Sequence, residues 1–270
     1  EYKVNGAQKT AEDNSLFAKG STDNTASIEY MRHLQNLDTE FSNVSSDKTS
    51  AIQIKDIQSI EEYDFKPIDN NFLQSYDGQG FKIYGLTSKL TNNKPSGLFS
   101  KIYGSAGDYK ELKNIKLVDT NIENNSYPAA GLVGEAQFIN ITNCKVYWEN
   151  RFEQATNLRD VLGDSSKGFN YKIISQAQAG ALAGVIKDAV IEKCASSTLI
   201  KGNSMHIGGL VGEAQNVSVN NSYSASYLAG KNTSGLIGNA SSSINISNCY
   251  AVGFIDSIEN GKAAGLCLGN

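Results

Sequence analysis

Two histidines, three prolines, one tryptophan and four cysteines are spread over 270 residues, and no apolar run approaches the roughly 18 residues of a membrane-spanning helix. Each scarcity excludes something. Without such a run, no membrane insertion is expected of this segment. With three prolines against twenty-five glycines and many Asn, Ser and Thr, the chain reads as dense in tight turns, neither helical nor proline-rich and disordered. A net charge of −4 and a pI near 5.3, with no run of Lys and Arg, argue against a nucleic-acid surface, because phosphate binding needs clustered cations. Cys144, Cys194, Cys249 and Cys267 fit no zinc or redox spacing. His33 and His206 sit in different elements, and no Ser–His–Asp or Cys–His pairing is recognisable. No cofactor or metal is expected. There is no initiator Met and no signal peptide, and residues 1–24 are polar, which predicts a mature or truncated fragment.

What the chain has is a repeat. Gly131-Leu132-Val133-Gly134-Glu135-Ala136-Gln137 returns as Gly209-Leu210-Val211-Gly212-Glu213-Ala214-Gln215, with looser copies starting at Gly97, Ala181, Gly235 and Gly265. The starts are 34, 50, 28, 26 and 30 residues apart, which predicts one coil per repeat with two longer loops extruded. A second signal is locked to the first. Cys144, Cys194 and Ser222 each follow the second glycine position by ten residues and Cys249 follows it by eleven, with Asn143, Asn221 and Asn248 just before. Two short period-2 strands per repeat are implied, one around Leu-Val and one around Ile-x-Asn-Cys-x-Val, with a turn between. Val, Ile, Cys and Ala at equivalent positions would stack inside as ladders about 4.8 Å apart. The cysteines then read as small buried hydrophobes, since Ser222 takes the same place; Cys249 and Cys267 make the one bridge to check. Glycine marks the bends.

This pattern resembles the bacterial Gly-Leu-any-Gly (GLUG) repeat family, over about residues 76–270. Tyr76-Asp77-Gly78-Gln79-Gly80-Phe81-Lys82-Ile83 looks like its lead-in turn and strand, with an Asp-Gly turn suited to a hairpin-like start. Ser100, Ala181 and the final Leu-Cys-Leu-Gly depart from the motif. The resemblance implies an all-β, right-handed parallel β-helix (solenoid) and an extracellular, cell-wall or cell-surface location. Ahead of it, Ile28, Met31, Leu34 and Leu37 share one helical face with Ser27 as N-cap, and residues 51–57 alternate as a strand. The expected organisation is a flexible segment 1–27, a short N-terminal helix and strand cap 28–75, and the repeat β-helix 76–270. The far edge is either self-capped or continued by further residues.

Candidate sites lie where the repeat is broken. The 50-residue step carries Tyr147, Trp148, Arg151 and Phe152, which form either an aromatic and basic contact patch for a glycan or the pins of a long loop. Glu135 and Glu213 hold the same repeat position but not on adjacent coils, because Val185 lies between; they read as solvated turn residues. Asp64, Asp69 and Asp77 lack the ligand spacing of a calcium loop and read as turn chemistry. The function expected is a non-enzymatic adhesin-like or structural module binding a glycan or an extracellular host or matrix protein. The alternative is a carbohydrate-active enzyme, a polysaccharide lyase or glycoside hydrolase; a third reading is a plain spacer.

Overall fold

The computed structural model describes residues 16–39, 48–59, 64–89, 93–149, 172–202 and 206–269. Its strands form parallel ladders in three sheets, of twelve, seven and nine strands, so the chain is an all-β parallel solenoid. Register follows the glycine repeat residue for residue. Val133 pairs with Phe99 and Ala183, Ala183 with Val211, Val211 with Ile237, and Ile237 with Cys267. These intervals are the 34, 50, 28, 26 and 30 residues separating the motifs. The eleventh residue before Cys249 is absorbed between Ala240 and Ile244, where register moves from Ala214–Ala240 to Val217–Ile244.

One coil runs as follows. The long strands Val133–Thr142, Ala183–Glu192 and Val211–Asn220 alternate inward and outward, but each bends midway at Phe138, Asp188 or Asn216, where φ is 51°, 47° and 53°. A second corner follows at Asn114, Asn143, Lys193, Asn221 and Asn248, all with φ between 50° and 56°. Asn is favoured there because its short polar side chain tolerates left-handed backbone better than most L residues. The side chains also bond along the stack: Asn143 Nδ2 donates to Asn114 Oδ1 at 2.8 Å, and Asn248 Nδ2 to Asn221 Oδ1 at 3.2 Å. The strand expected through Ile-x-Asn-Cys-x-Val is therefore two strands around a corner. Two outward residues, Thr142 and Asn143, separate the buried Ile141 from Cys144, which follows the corner and turns inward.

That corner explains the Cys/Ser equivalence. Cys194 Sγ lies 3.2 Å from the Glu192 carbonyl, Cys249 Sγ 3.1 Å from that of Ser247, and Ser222 Oγ donates at 2.7 Å to that of Asn220. Each group also faces the next coil: the Cys144 N–H points at Cys194 Sγ and the Cys194 N–H donates to Ser222 Oγ at 3.0 Å. All four cysteines are free. Cys267 pairs with Ile237 on the first side of the coil while Cys249 occupies the corner, so the bridge considered from sequence does not form. Burial holds the Cys144 thiol well above its ordinary value.

The ladder also runs through the residues expected to cap it. Ala26, Ala51, Tyr76, Leu112, Ile141, Ile191, Val219 and Ile246 form one continuous column. The helix shrinks to Met31–Gln35, and its N-cap is Tyr30 rather than Ser27, without a side-chain cap. Ser27 belongs to the strand Thr25–Ile28. Ile28, Met31, Leu34 and Leu37 are nonetheless all buried: the apolar spacing marked a core-facing segment whose first member was recruited by the sheet. Asp77-Gly78 is likewise a coil corner, not a hairpin. Strands Ser75–Asp77 and Lys82–Tyr84 pair with neighbouring coils, and a Cβ on Gly78 would sit 2.5 Å from the Asn114 carbonyl.

Candidate binding face

The seven-stranded sheet forms the short side after the Asn corner, and it carries the expected patch. Tyr147 lies on its outer surface, half-buried; Trp148, one residue on, is only 7% exposed. The Trp148 backbone N–H donates to the Ser197 carbonyl at 3.1 Å, and its ring stacks on Tyr227 at 6.3 Å and 17°. The tryptophan is thus packed along the stack. Arg151 and Phe152 lie outside the described residues.

The structure adds side chains to Tyr147 that were not picked out from sequence. Lys82, Lys116 and Lys145 occupy one column of this sheet, paired directly in register, so their backbones are about 4.8 Å apart. Column neighbours further along are Ala195, Tyr223 and Tyr250, and the two tyrosine rings stack at 5.0 Å with planes 1° apart. Next to this column run Tyr84, Val118, Tyr147 and Ser197. The readable signal was positional: Lys116 and Lys145 each stand two residues after a corner Asn.

Charge on this face is only partly compensated. Lys82 forms an ion pair with Glu149, two coils away, and lies 5.2 Å from the centre of the Tyr84 ring. The hydrogen bond to Glu149 holds the Lys82 ammonium above its ordinary range. Neither Lys116 nor Lys145 has an acidic partner at ion-pair distance among the described residues. Carboxylates lie at the rim. Asp56 accepts the Lys82 N–H at 2.8 Å, and Asp119 accepts the Glu149 N–H at 3.2 Å; burial raises the Asp119 carboxyl.

The other candidates separate. Glu135 pairs in register with Val185 and Val185 with Glu213, as expected from the repeat, leaving the two carboxylates two strand steps, about 9.6 Å, apart. Glu213 accepts from Gln178 Nε2 at 3.0 Å, and its Oε2 lies 3.5 Å from His206 Nδ1, longer than a well-formed hydrogen bond. His206 first, then Gln178, hold the Glu213 carboxyl below its ordinary range. A general acid needs the opposite shift. Asp64 accepts the Lys89 N–H, Asp69 pairs with Lys94 at 3.4 Å, and Asp77 accepts from Gln79 and Asn114, so the three do not converge. Among the described residues no group of three or more His, Cys, Asp and Glu is placed to hold a metal, and no helix is long and apolar enough to cross a membrane.

No protein-family model matches the chain, and no curated protein matches it in sequence. In structure it is similar to the crystal structure of a putative immunoglobulin A1 protease from Bacteroides ovatus, with 14% identity and a TM-score of 0.65 over 96% of this chain and 88% of that one. At that identity the likeness shows a shared fold alone.

Proposed function

We propose that the chain is a right-handed parallel β-helix of the GLUG-repeat kind, serving as a non-enzymatic, adhesin-like module that binds a glycan or matrix protein at a bacterial cell surface. Right-handedness follows from the general rule that parallel strands joined by a crossover connect in that sense, because twisted strands pack back onto themselves only that way. The family and location rest on the repeat. Binding rests on one observation: a rigid outer sheet presents Lys82, Lys116, Lys145, Tyr223 and Tyr250 in a single column. Loop-borne and surface aromatic and cationic groups on a stiff scaffold are suited to recognition.

A screen of immobilised glycans and matrix proteins tests this, run beside assays for reducing-end and unsaturated-product release. Saturable retention without product supports the reading. Robust turnover, lost in Glu135→Gln or Glu213→Gln, would replace it with the lyase or hydrolase alternative, which the register of those two residues keeps in view. Absence of retention on every surface would leave a spacer.

A further inference from the structure

The lysine column is costly for the fold that carries it. Like charges directly opposite one another on neighbouring strands destabilise a sheet, and here three ammonium groups are placed so, on Lys82, Lys116 and Lys145. Glu149 relieves the first. Nothing in the stacking demands the other two, since the same column continues with Ala195, Tyr223 and Tyr250. A local rule broken without a packing gain points to an external partner.

The chemistry of that partner can be read from the face. Three consecutive coils carry one cation each, so a matching ligand carries anions at a spacing near one strand step, along the solenoid axis. Seven strands span six steps, about 29 Å, which calls for an extended polymer rather than a small ion. Charge density is limited from the protein side: Asp56, Asp119 and Glu149 border the lysines, and the chain as a whole is at −4. A densely charged nucleic acid or polysulfate would meet those carboxylates. One residue pair away runs the row of exposed corner amides, Asn143, Asn221 and Asn248, and the phenols of Tyr223 and Tyr250 add further donors and acceptors. Such groups suit sugar hydroxyls.

Resting on the binding-module reading above, we infer that this face binds a linear polyuronate glycan laid across the coils, its carboxylates on Lys82, Lys116 and Lys145 and its hydroxyls on the neighbouring amides and phenols. Extended uronate chains rise by close to one strand step per sugar, so each coil meets one ring.

The test uses the whole chain and polygalacturonate fragments of graded length, with dextran, heparin and poly(dT) as comparators. Affinity should rise with fragment length up to the span of the face and fall with added salt, as screened surface pairs do. Lys116→Gln with Lys145→Gln should weaken polygalacturonate binding about three- to tenfold, the range for two exposed ion pairs, whereas Lys201→Gln, exposed on another sheet, should leave it unchanged. The double variant should melt no lower than the parent, because a repulsion has been removed. Equal polygalacturonate affinity in parent and double variant overturns the inference. So does tighter, lysine-dependent binding of heparin or poly(dT). Retention of dextran but not polygalacturonate overturns it while leaving the binding module standing; retention of no glycan at all removes the glycan reading together with it.

Discussion

Up to Leu112 the coils bury rings: Tyr76, Phe65 and Phe99 are the largest fully buried side chains among the described residues. From Gly131 onward the largest fully buried residues are Leu and Ile, among them Leu132, Ile141, Leu182, Ile191, Leu210 and Leu236, and one side of the coil is lined by small residues packed closely. One inner column shows the change, running Ile57, Ile83, Leu117, Val146, Ser196, Ser224 and Ala251. The opposing repeat glycines track it. A Cβ on Gly131 would lie 2.8 Å from the Val146 side chain, on Gly209 2.2 Å from Ser224 Oγ, and on Gly235 2.4 Å from the Ala251 Cβ. At Ala181, the one copy with a side chain here, the matching inner residue is Ser196, smaller than the Val146 it stacks on. The early coils hold buried rings and the later ones close one side by near contact, so a cavity at a ring tests the first and an added side chain at a repeat glycine tests the second.

Burying a charge has the largest expected effect. Leu132→Asp or Val211→Asp places an unpaired carboxylate at a fully buried site and should cost at least several kcal/mol; a variant melting like the parent would refute the inward assignment of this strand. Volume changes separate the regions. Phe99→Ala should cost about 3–5 kcal/mol through the cavity it leaves. Gly209→Val should destabilise by about 1–3 kcal/mol or more through overpacking, since even a Cβ meets the Gly235 carbonyl at 2.1 Å. Denaturant midpoints for the pair measure this, and a neutral Gly209→Val would break the comparison.

Acid should single out the early coils. His33 is 1% exposed, its Nδ1 accepts the Glu29 N–H at 3.2 Å, and burial first, then Arg32, lowers its pKa to about 4. Folding therefore favours the neutral ring. That contribution is complete above the free value of 6.5 and is lost as pH falls from there toward 4, amounting to roughly 1–3 kcal/mol. Glu213, with its lowered carboxyl, is protonated only at more acid pH. Between pH 6.5 and the carboxylate range, amides of residues 25–37 should lose hydrogen-exchange protection before those of 183–220. Simultaneous loss would contradict the local origin.

The smallest effect belongs to the corner column. Cys194→Ser should change stability by less than about 1 kcal/mol, because Ser222 already makes the same carbonyl bond one coil on.

Much of this was legible in sequence for a definite physical reason. In a solenoid each coil contacts its neighbours at a constant offset, so spacing between glycine motifs becomes pairing register; Glu135, Val185 and Glu213 fell into line on that basis alone. Corners were harder. Left-handed Asn143 and the turn at Gln79-Gly80 carry the chain onto the next side of the coil, and buried residues resume soon after, at Cys144 and Ile83, so strand and corner read alike, and Asp77-Gly78 looked like a hairpin. Around Ile28 the period was right and the element wrong, because tertiary pairing with Ser50–Gln53 outweighed local helical preference. The lysine column stayed hidden because its members lie 34 and 29 residues apart and no single stretch is basic. Trp148 drew notice by its rarity, yet it is packed away.

Excision of one coil tests most directly the claim that a repeat is a coil. Removing residues 183–210 joins Leu182 to Val211, which already occupies the register position of Ala183. The account predicts a folded, cooperatively melting protein, shorter along its axis by about 4.8 Å in solution scattering, while removal of residues 183–196 alone, ending part-way round the coil, unfolds it. If both deletions unfold the chain to the same extent, or both are tolerated alike, the repeat is not the structural unit.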